Sequence, residues 1–284
     1  MNLCRFERMQ GSAGVGLVAE DKVLDLREAG IESLSDILDA DSPADTLRSL
    51  LGRTLPPRCL TETKLLPPID RQEVWASGVT YLRSKQARME ESDFSSSAYD
   101  KVYEAARPEL FFKATADRVV GPGDAVGMRR DSNWNVPEPE LVLVMNSRCE
   151  VVGYTIGNDM SSRDIEGENL LYLPQAKIYD RSCSLGPYIT LGVSEEEVRT
   201  WTIKLCIERG GAAAFEGGVM VGQIKRPFCE LAQYLGRSQT FRHGVFLFTG
   251  TGVVPPDGFT LQPGDCIRIE VSGIGALENS VIRV

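Results

Sequence analysis

Histidine is nearly missing from this chain: His243 is the single one among 284 residues. That excludes a zinc site built from several imidazoles, and it leaves acid–base chemistry to carboxylates, lysine and hydroxyls. Basic charge is scarce as well, with 31 Lys and Arg against 40 Asp and Glu and a net charge of −9. Nucleic-acid recognition draws on clustered cations, so the balance argues against a polyanionic partner, and the short runs Arg129-Arg130 and Lys225-Arg226 read as solvated turns. No apolar run approaches the roughly 18 residues of a membrane span, and the start, MNLCRFERMQ, lacks the apolar stretch of a secretory signal. The expectation is a cytoplasmic protein with no membrane contact. The seven cysteines form no CxxC pair and no regular spacing, which fits reduced, mostly buried thiols.

What is present is an ordinary globular composition, 42% hydrophobic and 25% charged, long enough to bury a sizeable core. Near the N-terminus LCRFERM and GVGLVAEDKVLDL read as short strands. Two short helices follow, one after Ser33 as N-cap, the other with Ser42 as N-cap, Pro43 at its first position and Gly52 just past its end. The stretch TLPPRCLTETKLLPPID, with two Pro-Pro pairs, reads as an extended connector, and a domain boundary is placed near residue 70. Beyond it come mostly strands, among them EVWASGVTY, ELFFKAT, ELVLVMN, VVGYTIG, YITLGV, TIKLCIE, GVFLFTGT and CIRIEVSG. Helices are expected only at about 82–91, 97–106 and 227–235. The fold class is therefore α+β and β-rich, a barrel or roll over 71–284 with a small N-terminal α/β domain over 1–70, rather than a doubly wound parallel sheet.

The nonapeptide VPEPELVLV, residues 136–144, sets two glutamates one residue apart in an apolar run. Alternate strand residues share a face, so Glu138 and Glu140 lie side by side, either on a solvated edge or facing a cation that relieves their repulsion. Asp159, at the end of the next strand VVGYTIGND, supplies a third carboxylate. A carboxylate trio without histidine or thiolate is a hard-oxygen set suited to Mg, Mn or Ca.

The run NVPEPELVLV, GYTIGNDMSSRDIEG, LPQAKIYD, SLGP, FTGTGVVPP and PGDCIRIEVSGIGALEN resembles the fumarylacetoacetate hydrolase superfamily over about residues 72–284. The resemblance implies a mixed β-roll catalytic domain, a homodimer or higher homo-oligomer, Mg2+ as cofactor with Mn2+ or Ca2+ as substitutes, Glu138, Glu140 and Asp159 as its ligands, and Lys177 on the substrate's oxygens. Carbon–carbon hydrolases of the superfamily carry a histidine in a motif like NYxxH. Here the stretch is GVTYLRSKQAR, where Tyr81 matches and Ser84 takes the histidine position.

The variant pattern TYLRS, RPELFFKAT, PEPEL, NDMSSRDIEGENLLYLPQAK and GTGVVPP is similar instead to 2-keto-3-deoxy-D-arabinonate dehydratases. By that resemblance Glu109 is a catalytic acid or base, Lys177 is both catalytic and substrate-binding, and Thr251 is a substrate-binding hydroxyl. Ser84 and Arg163 are further candidates for substrate contact. The implied reaction is dehydration of a 2-keto-3-deoxy sugar acid. The alternatives are a hydrolase, decarboxylase or tautomerase acting on a diketo acid, and a metal-stabilised binding protein without catalysis. Each candidate has a plainer reading: a solvated strand start for Glu109, a surface pair with Asp180 for Lys177, a loop salt bridge to Asp164 or Glu166 for Arg163, a helix cap for Ser84. His243 reads as a turn residue, and the TGTG glycines as tight turns whose amides could meet an anion.

Overall fold

The computed structural model describes residues 1–9, 11–82 and 101–284, so the helix expected at 82–91 and the candidate Ser84 lie outside the described residues. Among the described residues one large mixed sheet runs through the molecule, and a five-stranded sheet packs against one of its faces. The large sheet is centred on the antiparallel pair Pro139–Met145 and Val151–Asp159. On one side Val151–Asp159 pairs with Cys183–Leu191, and on the other Pro139–Met145 pairs with Val245–Phe248. Val245–Phe248 then runs parallel to Glu73–Ala76, which pairs with Phe111–Thr115.

Every residue of Pro139–Met145 is buried, because both faces of the strand are covered and its alternation is sorted between two cores. Leu141, Leu143 and Met145 face the core shared with the five-stranded sheet and the helix Phe228–Gly236, which also holds Leu231, Leu235, Ile269 and Leu277. Val142 and Val144 face a second core with Leu17, Ile37, Leu47 and Phe246. The second core is filled largely from the N-terminal part of the chain. The strand Asn2–Glu7 pairs with Cys183–Leu191, placing Asn2 opposite Thr190, so residues before position 70 extend the same sheet.

Local details depart from expectation in four places. The helix near Ser33 spans Ser35–Leu38 and has no side-chain cap; instead the Asp36 carboxylate accepts from the backbone N–H groups of Glu32 and Ser33. Ser42 does precede the helix Pro43–Leu50, yet its hydroxyl donates to Asp45 rather than capping the backbone. Of the cysteines only Cys4 and Cys183 are buried; Cys206 and Cys266 stand on the outward face of the five-stranded sheet, and all seven are free thiols. Arg226 is no solvated turn residue: it is 8% exposed, pairs with Glu230, and donates to the carbonyls of Val102, Ala105 and Ala106, where it closes the turn following helical residues 101–104. No helix among the described residues is long and apolar enough to cross a membrane.

Candidate active site

Strand antiparallelism builds the site. The start of Pro139–Met145 and the end of Val151–Asp159 lie together, with Glu140 opposite Gly157 and the Asp159 N–H donating to the Glu138 carbonyl at 3.0 Å. Glu138, Glu140 and Asp159 therefore converge on one face, 4%, 2% and 1% exposed. Each offers a carboxylate oxygen within 4.8 Å of the others. The strand is central rather than an edge, so the solvated reading of the two glutamates is excluded. Gly157 permits the crowding, since a β-carbon there would run into the Phe248 ring.

The loop after Val245–Phe248 closes the floor. Gly250 has φ of +88°, a region glycine enters without steric cost, and its N–H donates to Glu140 Oε2 at 2.5 Å. The anion that the TGTG segment receives is thus a side chain of the protein itself. Thr251 is buried beside it, and its hydroxyl donates to the Pro139 carbonyl at 3.0 Å, tying the loop to the glutamate strand.

Lys177, the last residue of the short helix Leu173–Lys177, is 2% exposed and does not pair with Asp180. Its Nζ lies 2.9 Å from Glu138 Oε2, 3.0 Å from Asp159 Oδ2 and 2.5 Å from Ser161 Oγ. Arg163 opens the helix Arg163–Glu168 and approaches Glu138 at 3.5 Å, over the face of Trp134. Asp164 instead accepts from Ser132 and the Asn133 N–H, so the loop salt bridge considered for Arg163 is not formed with it.

Electrostatics divide the three carboxyls. Burial, reinforced by the charges of Asp159 and Glu138, holds the Glu140 carboxyl well above the usual carboxylate range, against the pull of Lys177 and the Gly250 amide. Burial acts on Asp159 in the same sense, but Lys113 and Lys177 outweigh it and bring that carboxyl below its ordinary value. Two ammonium groups therefore outweigh burial at Asp159, while at Glu140 Lys177 and the Gly250 amide only partly offset burial and the like charges. That donor set, three buried oxygens of hard character, fits a divalent cation.

Glu109 precedes Phe111–Thr115 and lines the same cavity as the trio, together with Phe111, Arg163, Glu166, Lys177 and Thr251. It is no solvated strand start. Its carboxylate rests over Gly78, where a β-carbon would collide with Oε2. The same wall contains Val79, a buried β-branched residue with φ of 55°, a strained conformation of the kind found at functional sites. Two residues were not site candidates in the sequence reading: Glu166, which was named only as a partner for Arg163 and lines the cavity 4% exposed, and Lys113, which lies outside that lining, fully buried in the strand FFKAT and paired with Asp159. Their only trace was a charge inside a motif otherwise explained. His243 lies away from the cavity, exposed on a turn whose carbonyl accepts from Gln72 at 3.0 Å.

Residues 73–282 match the family model described as fumarylacetoacetate (FAA) hydrolase C-terminal. The chain belongs to the fumarylacetoacetate hydrolase family. The matched region starts just beyond the connector ending near residue 70, and contains every site residue named above. Within the family, the chain is 49% identical over 217 residues to a "Probable 2-keto-3-deoxyxylonate dehydratase" of Haloferax volcanii, covering 76% of this chain and 74% of the relative. It is 42% identical over 221 residues to the 2-dehydro-3-deoxy-D-arabinonate dehydratase of Saccharolobus solfataricus, covering 77% and 74%. Among solved structures, 2-keto-3-deoxy-D-arabinonate dehydratase complexed with magnesium and 2,5-dioxopentanoate superposes with a TM-score of 0.83 at 33% identity, over 100% of this chain and 99% of that one. The β-rich mixed-sheet fold expected from the sequence is the fold of these relatives.

Proposed function

We propose that this chain is a magnesium-dependent hydro-lyase that removes water from a 2-keto-3-deoxy sugar acid, such as a 2-keto-3-deoxy-pentonate, to give 2-oxoglutarate semialdehyde. The observation that carries the reading is one cavity holding a buried carboxylate trio, a lysine and a separate glutamate, in a chain 42–49% identical to relatives named as dehydratases.

Glu138, Glu140 and Asp159 would hold the cation, whose contribution is to draw electrons from the 2-keto group and so acidify C3. Lys177 is set among the same carboxylates and gives its three N–H groups to Glu138, Asp159 and Ser161; with a cation on the carboxylates, one of those donors would turn to the substrate's carboxylate or keto oxygen. Glu109, seated over Gly78 at the cavity wall, is the proton carrier: it takes a proton from C3 and returns one to the departing C4 hydroxyl, so that one water is lost. A further proton shift from C5 yields the aldehyde. Burial of the site keeps water from quenching these transfers.

The hydrolytic alternative needs a base that activates water. The single histidine of the chain stands on a distant turn, so the dehydration reading is favoured over cleavage of a diketo acid. By the same reading the partner is a small-molecule 2-keto acid, with neither nucleic acid nor membrane involved, and the enzyme acts in the cytoplasm as a homodimer or higher homo-oligomer.

The test is a coupled assay for the semialdehyde on 2-keto-3-deoxy-pentonates, with magnesium and with chelator. Metal-dependent product is expected. Consumption of an acylpyruvate with no semialdehyde from any sugar acid would overturn the assignment.

A further inference from the structure

Lys113 is 0% exposed in the midst of an apolar strand, and a buried ammonium is tolerated only where its charge and donors are matched. The strand pairing explains how it gets there. Val74 lies opposite Ala114 and Trp75 opposite Phe112, so Lys113 is the extra residue of a β-bulge. Bulges re-aim a side chain that regular pleating would send elsewhere.

Three oxygens receive it. Nζ lies 2.5 Å from Asp159 Oδ1, 2.5 Å from the Lys177 carbonyl and 3.1 Å from the Met160 carbonyl. The two carbonyls take hydrogen bonds from it and Asp159 balances its charge, and Lys113 is not among the residues that line the cavity, so it is not placed to meet a substrate. Two of the three acceptors belong to residues that face the reaction site, Asp159 by its carboxylate and Lys177 by its backbone.

We propose that Lys113 is a positioning residue. It occupies Oδ1 of Asp159 and so leaves Oδ2 turned toward Glu138 and the Lys177 ammonium. At the same time it fixes the backbone from which Lys177 reaches into the trio. One bulged lysine thus sets the orientation of a cation ligand and of the neighbouring cationic donor. The inference rests on the metal-site reading and is independent of which keto acid is the substrate.

The test compares Lys113→Met and Lys113→Arg with the unmutated protein, measuring magnesium affinity by calorimetry on metal-stripped protein, then kcat and KM at saturating magnesium. Loss of an outer-shell partner typically weakens metal affinity or activity about 10–100-fold. Lys113→Met is expected to show that loss in magnesium affinity and in kcat, with KM for the keto acid changed less than about three-fold, because Lys113 is fully buried and does not line the cavity. Lys113→Arg, which keeps the charge, is expected to recover part of the affinity. A folded Lys113→Met that binds magnesium within about two-fold of the parent overturns the proposal, and so does failure of both variants to fold, which would make the lysine purely architectural. If the parent binds magnesium but turns over no sugar acid, the dehydratase reading falls while the affinity comparison still decides the role of Lys113. A parent that binds no divalent cation removes both.

Discussion

Glu140 stands under two opposed demands. Its carboxyl is held above the ordinary glutamate value of about 4.3 by burial and by two like charges, so between the ordinary and the raised value the metal-free native state holds a proton that the unfolded chain has released. Stability contributed by that proton is complete below the ordinary glutamate value and is lost as pH rises through the elevated one. Asp159 works with the opposite sign, since its lowered carboxyl adds stability that disappears as pH falls. A divalent cation must displace the Glu140 proton. Magnesium binding is therefore expected to release a proton and to weaken as pH falls, which calorimetry in two buffers of different ionisation enthalpy would show; uptake of a proton would contradict the arrangement. If Glu109 is the proton carrier proposed above, Glu109→Gln should lower kcat about 10²–10⁴-fold with the fold unchanged. Gly78→Ala should lower it too, by an amount on the order of 10²-fold, because the new methyl group displaces the Glu109 carboxylate. Thermal melting of Gly78→Ala should stay near that of the parent. Strand alternation made Glu138 and Glu140 legible as a pair and Asp159 as a third carboxylate, but it left a solvated edge open; the ligand reading and the place of Lys177 came from the resemblance to the fumarylacetoacetate hydrolase superfamily. Lys113 was not legible, since a single lysine in FFKAT reads as an outward-facing residue until the bulge is seen.

At the level of elements, strands were read more faithfully than helix ends. Alternating or continuous apolar runs identified Pro139–Met145, Val151–Asp159 and Thr202–Arg209, whose hydrophobic pattern is itself the force that seats them. Ala212–Met220 and Gly275–Arg283 were missed because alanine, glycine and serine give them little strand character; they are held by pairing with Thr202–Arg209 and Cys266–Val271. Helix caps went astray at Ser33 and Ser42, where nearby aspartates compete for the same donors or hydroxyls. The loop after Val245–Phe248 offers a test of element geometry. Gly250→Ala would force a side chain into the left-handed region and against the Thr80 hydroxyl, costing on the order of 1–3 kcal/mol. Urea unfolding should show the drop, together with weaker magnesium binding as the amide moves off Glu140.

For the molecule as a whole, strands from before and after residue 70 share the one sheet that carries the carboxylate trio. Magnesium that binds only the folded protein should raise its stability by about 2.7 kcal/mol at a free concentration one hundred times Kd, seen as a higher urea midpoint that chelator reverses. A boundary near residue 70 separates two sequence styles, yet the large sheet crosses it. Removing residues 1–70 would uncover the edge of Cys183–Leu191 and the apolar side chains Ile189 and Leu191. Aggregation rather than an independently folded catalytic unit is expected from such a truncation, checked by size-exclusion chromatography.

The pairing of Asn2 with Thr190 has one more result, which concerns time rather than geometry. On the ribosome the strand Asn2–Glu7 emerges well before its partner Cys183–Leu191, which lies about 180 residues further along the chain. The early strands can form their own antiparallel ribbon with Ala13–Ala19 and Lys22–Asp25, and Leu65–Leu66 can pair with Arg5 and Phe6, while the Asn2–Leu3 end of the outer edge waits for Ile189 and Thr190. Newborn chains of this protein should therefore lean on chaperones until the sheet closes, and refolding from denaturant should be slow relative to proteins with local contacts.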